Sequence, residues 1–472
     1  MSDLYIKVKS AGTDEWERPD DWLAMPSVTS ADDTFVGLHT VFPSGSNFVA
    51  FRFTTDTGDY QVDWGDGNVD VVASNTDAQH QYDFTNVALD GTLTSEGYKQ
   101  AIITVTPVSG ELRTANFQKR YTTTPTISIN YSTGFLDCIL SMPNANTGTS
   151  ITFGGTTTQH RLCQRVDIKT IGNVTSLSSM FYACTSLQTI PLFDTSNVTN
   201  MSSMFQSCIS LKSIPFFNTS NVTNMSEMFE ACYSLQTIPH LDTSSATSMT
   251  ELFNGCRSLQ TIPLIDTSNI TNMLRFFSDC QSLQTIPLID TSNVTNMLEI
   301  FNGCRSLESI PLIDTSNVTR MDSMFSDCDS LKTIPPLDTS SATLMRRMFY
   351  VSNVIHTVPL LDTSNVTDMY EMFRGCSALQ EVPALDTTSV TIQTSQFISC
   401  FSLTKTNIIC RKSVSFSTSL LSQSELVNIF NNLIDLTSLT SQNINITSCW
   451  GASALTAGER QIATDKNWTI TG

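Results

Sequence analysis

Residues 290–313 read DTSNVTNMLEIFNGCRSLESIPLI, and near-copies of this 24-residue segment follow one another in strict register from about residue 170 to residue 400. The first residue recurs in the other copies as Asp194, Asp242, Asp266, Asp314, Asp338, Asp362 and Asp386. A fixed period of about 20–29 residues is typical of solenoids, whose units cannot bury their apolar faces alone. The repeat therefore predicts a long open surface instead of an enclosed catalytic pocket, and it favours binding over chemistry.

The middle of the repeat has the apolar spacing of a helix. Apolar side chains fall at positions i, i+3, i+4, i+7 and i+10, which predicts one stripe of an α-helix. In one copy these residues are Met201, Met204, Phe205, Cys208 and Leu211. A proline then recurs in nine copies, from Pro191 to Pro383, so this stretch is predicted to be at best a partial sheet. The Asn-Val-Thr-Asn segment is the better candidate for a continuous parallel strand.

Three columns of the repeat have structural explanations. The aspartates are predicted to accept hydrogen bonds from the Thr-Ser turn that follows each of them, and a row of calcium sites is the alternative. The Asn-Val-Thr triplets match the glycosylation acceptor pattern, but their strict period favours a ladder of asparagine or threonine side chains. Nine cysteines share one column, with Ser352 in the missing place, and are predicted to be small buried side chains instead of a redox or metal ladder.

The composition restricts the class of partner. The chain has 472 residues, a formal net charge of −19 and a pI of about 4.5. Because binding to a phosphate backbone requires a basic footprint, nucleic acid is not expected as a partner. The chain starts without an apolar leader and has no run of 18 apolar residues, which predicts neither a signal peptide nor membrane insertion. Reduced thiols for the 13 cysteines suit folding in a cytoplasm.

Composition and periodicity divide the chain into five segments. These are an N-terminal arm (1–30), a β-sandwich (31–130), a transition that caps the start of the solenoid (131–170), the solenoid (171–402) and a C-terminal cap (403–472). The last segment has an apolar helical stripe that would close the final coil, formed by Leu426, Ile429, Phe430 and Leu433. The predicted fold class is therefore an α/β repeat solenoid of 24-residue coils, preceded by an all-β sandwich and followed by a helical cap.

The core of the repeat resembles a known family. Its Asn-Val-Thr-Asn-Met…Met-Phe…Cys…Ser-Leu pattern is similar to the leucine-rich repeats of the BspA-like surface proteins. The resemblance covers about half of the chain and recurs ten times. It implies a leucine-rich-repeat-like α/β solenoid, with a role in surface adhesion and recognition instead of catalysis.

A second resemblance lies upstream of the repeats. Residues 60–67 read YQVDWGDG, and His80 and Tyr82 follow with one residue between them. The Trp-Gly-Asp-Gly turn and the later His-x-Tyr resemble the landmarks of the polycystic-kidney-disease (PKD) type β-sandwich. A metal site at Asp63 and Asp66 is one interpretation of this stretch, and a tight Asp-Gly turn is the favoured one.

The end of the chain is similar to endings on BspA-like repeat proteins of phages. Residues 421–433 and 462–470 carry this similarity. Cell-surface members of the BspA-like family are expected to carry an export signal, whereas a virion protein made in the host cytoplasm needs no leader. The resemblance therefore implies a protein of the virion exterior.

Candidate binding residues lie where the repeat leaves a position free. The residue after the cysteine column varies between neighbouring copies and is predicted to be exposed, with side chains enriched at binding hot spots. The candidates in this column are Tyr233, Arg257, Gln281 and Arg305. The Asn/Thr-lined strand face is a second candidate, because aligned amides and hydroxyls suit saccharide recognition. In the arm, Trp16 and Trp22 are candidates for virion attachment, and packing at the edge of the sandwich is the alternative.

No motif for catalysis accompanies the repeat. The histidines lack metal-ligand spacing, and no phosphate-binding loop, nucleophile elbow or His-Glu-x-x-His occurs, so no enzyme, metal or cofactor is expected. The sequence predicts a non-enzymatic phage virion surface protein of the tail-fibre or adhesin type. It would attach to other virion proteins through its N-terminal region and contact a host surface receptor such as a polysaccharide, as a homo-oligomer or in several copies. The alternatives are a capsid decoration or head-fibre protein, a bacterial surface adhesin of the BspA-like type, and a glycan depolymerase.

Overall fold

The computed structural model describes residues 16–43, 47–119, 121–123, 127–128, 134–155 and 162–472. Residues 1–15 of the predicted arm, and parts of the predicted sandwich and transition, therefore lie outside the described residues. The chain divides into two compact units. The first comprises Met1–Val222 and Cys232–Leu241, and the second comprises Thr223–Ala231 and Asp242–Gly472. About 12 solenoid coils, with few helices, follow an N-terminal sheet region.

The N-terminal region of the first unit contains two main β-sheets. The strands are β1 (Thr34–Val41), β2 (Phe48–Thr55), β3 (Tyr60–Asp63), β4 (Val69–Val72), β5 (Asp77–Gln81), β6 (Lys99–Pro107), β7 (Leu112–Asn116), β8 (Thr122–Thr123), β9 (Ile127–Ser128), β10 (Phe135–Ser141), β11 (Ile151–Thr152) and β12 (Arg165–Thr170). The larger sheet has the order β12-β10-β1-β6-β3-β4, and the smaller has the order β11-β7-β2-β5. Strands β8 and β9 pair with each other. Most pairs are antiparallel, but the pairs β10–β12 and β7–β11 are parallel.

Aromatic side chains join the two sheets. The ring centroid of Phe35 in β1 lies 5.9 Å from that of Phe53 in β2 and 4.7 Å from that of Phe117. All three rings are fully buried. Strand β10 is buried at every residue, although it lies in the segment predicted as a transition. The predicted sheet region is confirmed, and it also takes strands from residues beyond 130.

The helix predicted in each repeat is wrong. No α-helix occurs among residues 171–402, where the same apolar side chains point inward from consecutive turns. In one coil, the backbone N–H groups of Met273, Arg275 and Phe277 donate to carbonyls of the next coil at 2.9, 2.9 and 3.0 Å. Those of Phe276 and Cys280 donate to the carbonyl three residues earlier. A helix would use all of these groups within one coil, so hydrogen bonding between coils selects the turns.

The strand-like parts of the repeat are short. The Asn-Val-Thr-Asn segment forms isolated parallel bridges in place of the predicted continuous strand, for example from Asn272 to Asn296 and from Asn296 to Arg320. In the proline stretch, β13 (Glu381–Val382) pairs in parallel with β14 (Lys405–Thr406). The proline stretch is therefore a partial sheet, as predicted.

Two polar columns have the structural roles predicted for them. Oδ1 of Asp290 accepts hydrogen bonds from the backbone N–H and the hydroxyl of Ser292, at 2.9 and 2.7 Å. The N–H bond, followed by the hydroxyl bond, holds the pKa of the Asp290 carboxyl below its usual value. The amide of Asn293 donates to the carbonyl of Ser268 in the preceding coil at 2.8 Å. The aspartates therefore close turns and the asparagines join coils.

The cysteine column is buried and also joins coils. All 13 cysteines are buried. The thiol of Cys304 donates to the carbonyl of Phe277 at 3.0 Å. Where the column holds Ser352, its hydroxyl donates to the carbonyl of Phe325 at 2.5 Å. A small side chain with one donor satisfies this position, which confirms the predicted structural role.

Val351 occupies a backbone position that holds glycine in several coils. Its φ is 56°, and the equivalent Gly255, Gly303 and Gly375 have φ values of 75°, 72° and 80°. A β-branched residue in this region is strained by roughly 1–2 kcal/mol. We expect Val351→Gly to raise the free energy of unfolding by about 0.5–1 kcal/mol in urea denaturation, after the larger backbone entropy of glycine is subtracted. The matched change Gly303→Val should lower it, and a loss of stability in Val351→Gly would show that the strain is not there.

The C-terminal segment of the second unit combines helices with a sheet. It contains α1 (Gln423–Asn432), α2 (Ala457–Thr464), β15 (Val414–Ser415), β16 (Gln442–Asn445) and β17 (Trp468–Thr471). The three strands form one parallel sheet. Helix α1 buries Leu426, Ile429 and Phe430, three residues of the predicted stripe. The segment predicted as a helical cap therefore contains a parallel sheet as well as the two helices. Among the described residues, no helix combines the length and apolar character needed to cross a membrane.

Candidate functional site

Three successive coils of the second unit concentrate arginine and tyrosine on the outside of their turns. These coils begin at Asp314, Asp338 and Asp362, and most other coils have Ser, Thr, Asn or Glu at the same positions. We define the arginine–tyrosine patch as Arg320, Arg346, Arg347, Tyr350, Tyr370 and Arg374. None of these side chains is fully buried. The patch therefore differs from its surroundings in chemistry while the inward-facing residues of the same coils follow the repeat.

The stacking of the coils aligns the patch. The backbone of Arg320 forms an isolated parallel β-bridge with the backbone of Leu344 in the next coil. Leu344 forms a second parallel β-bridge with Asp368 in the coil after that. The backbone N–H of Arg347 donates to the carbonyl of Tyr370 at 2.9 Å. Arg347 has a φ of 52°, which places it in one of the tight turns that bond to the next coil. Main-chain hydrogen bonds therefore set the spacing of residues that are 23 or 24 positions apart in the sequence.

Nearly buried carboxylates hold two of the arginines. Nε of Arg320 lies 3.3 Å from Oδ2 of Asp322, and Nε of Arg346 lies 3.5 Å from Oδ2 of Asp368. The carboxylate side chains are 8% and 10% exposed, whereas the two arginines are 45% and 53% exposed. Burial raises the pKa of Asp322, and the charge of Arg320 opposes this effect. The negative charges thus lie below the surface and the positive charges lie on it.

Glu371 is the deepest carboxylate of the group and contacts two arginines. Its side chain is 1% exposed, Nε of Arg347 lies 2.7 Å from its Oε2, and Arg374 contacts its Oε1. Burial raises the pKa of Glu371, but hydrogen bonds from both arginines outweigh burial and hold this pKa below its ordinary value. The hydrogen bond to Glu371 in turn raises the pKa of each arginine. All three groups therefore stay charged at neutral pH.

The two tyrosine rings of the patch lie against guanidinium groups. The guanidinium carbon of Arg346 lies 5.4 Å from the ring centroid of Tyr370. That of Arg347 lies 5.3 Å from the Tyr350 ring and 5.5 Å from the Tyr370 ring. Such contacts contribute about 0.5–1 kcal/mol each at exposed sites. They restrict the rotation of the arginines, so the patch presents planar charged donors beside aromatic rings in a preorganised arrangement.

The candidate column after the cysteines lies elsewhere on the coils. Tyr233 is 37% exposed, Arg257 and Arg305 are exposed, and Gln281 is half-buried. Tyr233 belongs to the first unit and the other three residues to the second. The tyrosine and the two arginines of this column face outward. Its role in binding stays a prediction.

The tryptophans of the arm pack against the sheet region of the first unit. The indole N–H of Trp22 donates to the hydroxyl of Tyr98 at 3.1 Å, and Trp22 is buried. The indole N–H of Trp16 donates to Oε1 of Gln164 at 3.1 Å, and the two indole rings lie 6.3 Å apart. The alternative of a packed edge matches this geometry. A role of Trp16 and Trp22 in virion attachment stays a prediction.

The Asp-Gly turn of the sheet region is internally bonded. Oδ1 of Asp63 accepts the backbone N–H two residues later at 2.9 Å, and Oδ2 of Asp66 lies 2.8 Å from Nε2 of His80. The hydroxyl of Tyr82 donates to the carbonyl of Trp64 at 2.8 Å. These contacts bring the Trp-Gly-Asp-Gly turn and the His-x-Tyr motif together. Within the described part of the chain, no group of three or more His, Cys, Asp or Glu side chains is placed to hold a metal ion.

The asparagine and threonine side chains of the strand face are engaged between coils. Besides the amide of Asn293, the amide of Asn317 donates to the carbonyl of Ser292 at 2.8 Å. The hydroxyl of Thr295 donates to the carbonyl of Thr271 at 3.2 Å. Because these donors already serve the solenoid, the strand face is a weaker candidate for saccharide recognition than the sequence indicates.

None of the residues of the arginine–tyrosine patch is among the candidates that the sequence indicates. The candidate residues after the cysteines belong to one variable column, whereas the patch draws on four columns of three adjacent coils. The signal that would identify it is the concentration of arginine and tyrosine within residues 320–374 of a chain with a net charge of −19. That signal becomes specific only when the coils are placed in register.

Four overlapping segments of the chain match one protein-family model. They are residues 151–263, 247–357, 271–383 and 329–429, and the family is described as "Mycoplasma protein of unknown function, DUF285". Among curated proteins, none matches this sequence. Among solved structures, the chain is similar to a plant peptide hormone receptor, RGFR1, in complex with RGF2, with 13% identity and a TM-score of 0.21. That similarity covers 71% of this chain and 59% of the receptor chain.

Proposed function

The chain belongs to the DUF285 repeat family, and from this premise we propose that it is a non-enzymatic surface protein that recognises a ligand through its solenoid. It is a repeat solenoid of a surface type, consistent with adhesion or recognition. The family description assigns no function, so the proposal depends on the outward-facing residues of this chain.

The arginine–tyrosine patch is the observation that carries the proposal. The inward positions of its three coils keep the apolar residues of the repeat, so the fold does not require arginine or tyrosine outside. Arginine and tyrosine are enriched at the energetic centres of interfaces. Three of the four arginines are exposed, and their partner carboxylates are nearly buried. A surface of this kind supports binding of a partner better than it supports any reaction.

An exposed apolar row supports the same proposal. Leu264, Leu288 and Leu312 occupy the same position of successive coils in the second unit and are 64%, 63% and 65% exposed. Contiguous exposed apolar side chains are uncommon on monomeric soluble proteins and mark interaction surfaces. The solenoid therefore offers more than one surface for contact with partners.

The finer proposal is display on the exterior of a phage virion. The N-terminal sheet region, with its PKD-like landmarks, would attach the chain to other virion proteins, and the solenoid would contact a host surface receptor. Several copies or a homo-oligomer would raise the avidity of weak contacts. The buried thiols of the cysteine column support folding in a reducing cytoplasm, where virion proteins are made. A capsid decoration or head-fibre role would use the same attachment.

A bacterial surface adhesin of the BspA-like type is the second candidate. The observation in its favour is the description of the matching family, which names Mycoplasma, a cellular organism. Antibodies against the full-length chain separate the two candidates by immunogold electron microscopy. Label on virus particles supports the virion proposal, whereas label on uninfected cells supports the adhesin.

Cell binding tests the function that both candidates share. The fluorescently labelled full-length protein is expected to bind saturably to bacterial cells of the host in which the gene is propagated, and unlabelled protein should compete. The heat-unfolded protein is the control for non-specific adsorption. Equal adsorption of folded and unfolded protein, or adsorption that unlabelled protein does not reduce, would refute the recognition function.

A further inference from the structure

We propose that the arginine–tyrosine patch is a binding site for an acidic polysaccharide, one that carries carboxylate or sulfate groups on its sugar rings. This inference rests on the proposed recognition function and adds the chemical class of the ligand. It concerns only residues of the second unit, within the coils that begin at Asp314, Asp338 and Asp362.

The distribution of charge in the patch selects an anion. Four arginines face three carboxylates, but the carboxylates are 8%, 10% and 1% exposed and the arginines are 42–53% exposed. The pairs of Arg320, Arg346 and Arg347 engage Nε. This leaves the two terminal Nη groups of each guanidinium for a ligand. A guanidinium presents five N–H donors in a planar fork that matches carboxylate and sulfate oxygens.

The tyrosines select a ligand with apolar faces between its charges. Tyr350 and Tyr370 are half-buried, and each ring lies 5.3–5.5 Å from a guanidinium carbon. A sugar ring has C–H faces that pack on an aromatic ring and hydroxyl edges that bond to the phenolic oxygen. An inorganic anion would use the arginines alone. The combination therefore favours a saccharide with charged substituents.

The dimensions of the patch agree with a short stretch of polysaccharide. Adjacent coils are spaced like paired strands, about 5 Å apart, so three coils span roughly 10–15 Å. This length accommodates two or three sugar residues. The pairing of each arginine with a fixed carboxylate reduces the entropy lost when a ligand binds.

The rest of the chain argues against nucleic acid as the ligand. The net charge is −19, and each coil of the repeat that begins with aspartate places an exposed carboxylate on its outside. A nucleic acid would bring a continuous row of phosphates toward these carboxylates, and it needs a broad basic footprint. A charged saccharide segment of the length of the patch needs no basic footprint beyond the four arginines.

Direct binding measurements test the proposal with four immobilised probes: polygalacturonate, dextran sulfate, neutral dextran and duplex DNA. The full-length chain is expected to bind polygalacturonate or dextran sulfate. Its affinity for that probe should fall at least about tenfold between 50 and 500 mM NaCl, because added salt screens exposed charges. Binding to polygalacturonate assigns the carboxylate, and binding to dextran sulfate assigns the sulfate. Stronger binding to duplex DNA, equal binding to neutral dextran, or binding to neither acidic probe would overturn the proposal.

Substitutions locate the site. The double variant Arg320→Gln/Arg346→Gln should weaken binding to the acidic probe by about tenfold or more, because each charge-assisted hydrogen bond contributes substantially. The matched control Lys212→Gln/Lys332→Gln removes the same charge from two exposed lysines outside the patch and should bind as the original chain does. Equal losses in the two variants would show that net charge, and not the patch, governs binding.

A conservative variant separates a loss of binding from a loss of folding. Arg346→Lys keeps a positive charge beside Asp368 and is expected to fold, yet it should bind more weakly because lysine lacks the planar fork. Unchanged affinity in Arg346→Lys would show that the guanidinium of Arg346 does not bind the ligand. If the double variant still binds cells as the original chain does, the ligand class proposed here is wrong while the recognition function stands. Failure of the original chain to bind cells overturns the recognition function itself.

Discussion

Raising the pH from 9 to 10 under reducing conditions is expected to unfold this protein. Burial raises the pKa of ten thiols in the folded chain above the ordinary value. They are Cys138, Cys184, Cys208, Cys280, Cys304, Cys328, Cys376, Cys400, Cys410 and Cys449. For Cys400 and Cys410 the pKa rises to about 12. Circular dichroism at a series of pH values, with a phosphine reductant present, measures the transition.

The direction of the effect follows from the two pKa values of each thiol. In the unfolded chain a thiol ionises near pH 8.5, whereas the buried thiol stays neutral to a higher pH. Its stabilising contribution is therefore complete below about pH 8.5 and is lost as the pH rises toward the folded pKa. Each thiol that stays neutral in the folded chain removes about 1.4 kcal/mol per pH unit in this window, so the nine thiols other than Cys449 remove about 12 kcal/mol. The whole free energy of unfolding of a typical domain is only about 5–15 kcal/mol.

Substitution in the cysteine column provides the control. Because Ser352 already fills one place of the column, serine is sterically accepted there. The variant Cys280→Ser/Cys304→Ser/Cys328→Ser should lose about 4 kcal/mol less per pH unit between pH 9 and 10, whatever its stability at pH 7. The reverse variant Ser352→Cys should lose about 1.4 kcal/mol more per unit. Identical slopes for all three chains would mean that the thiols do not govern the transition.

The second large effect is expected from Phe301→Ala, which should lower the free energy of unfolding by about 3–5 kcal/mol. Phe301 is fully buried, and its ring stacks between Phe277 and Phe325 with both centroid distances at 5.8 Å. The ring planes are tilted by only 5° and 11° from those neighbours. Removal of the ring leaves a cavity that the hydrogen bonds between coils prevent from closing. Urea denaturation followed by circular dichroism gives the change.

An exposed residue of the same coil supplies the comparison. Leu312 is 65% exposed, so Leu312→Ala should change the free energy of unfolding by no more than about 0.5 kcal/mol. Both variants shorten an apolar side chain within one repeat. If Phe301→Ala cost less than about 1 kcal/mol, or no more than Leu312→Ala, the stacked rings would not be the main support of the coil.

Local and periodic features were predictable from the sequence. The turn at Asp290 depends only on a residue two positions away, and the burial of the cysteine column depends on its strict period. The bond from Asn293 to Ser268 also follows from the period, because equivalent residues of successive coils lie side by side. Each of these features needs either a neighbour in the sequence or the repeat itself.

The helix prediction failed because apolar spacing does not distinguish a helix from a series of turns. Phe276 and Cys280 face inward in both cases. The difference lies in the backbone: alternate N–H groups, such as those of Arg275 and Phe277, bond to the next coil. Residues in the left-handed region, among them Arg275 with a φ of 50°, turn those groups outward from the coil. The pattern of apolar side chains does not show whether a backbone N–H group bonds within its own coil or to the next coil.

The sequence by itself determined the solenoid, its period, its inward residues, the sheet region before it and the membership of a repeat family, because periodicity and burial are properties of the residue order. Only the tertiary structure decided that the coils are built from turns and that Arg320, Arg347 and Tyr370 form one surface. These residues are 23 to 50 positions apart and meet through hydrogen bonds between coils. The charge of that surface could not be predicted from the sequence either, because it depends on which carboxylates are buried. Glu371 lies under its arginines, and the arginines face the solvent.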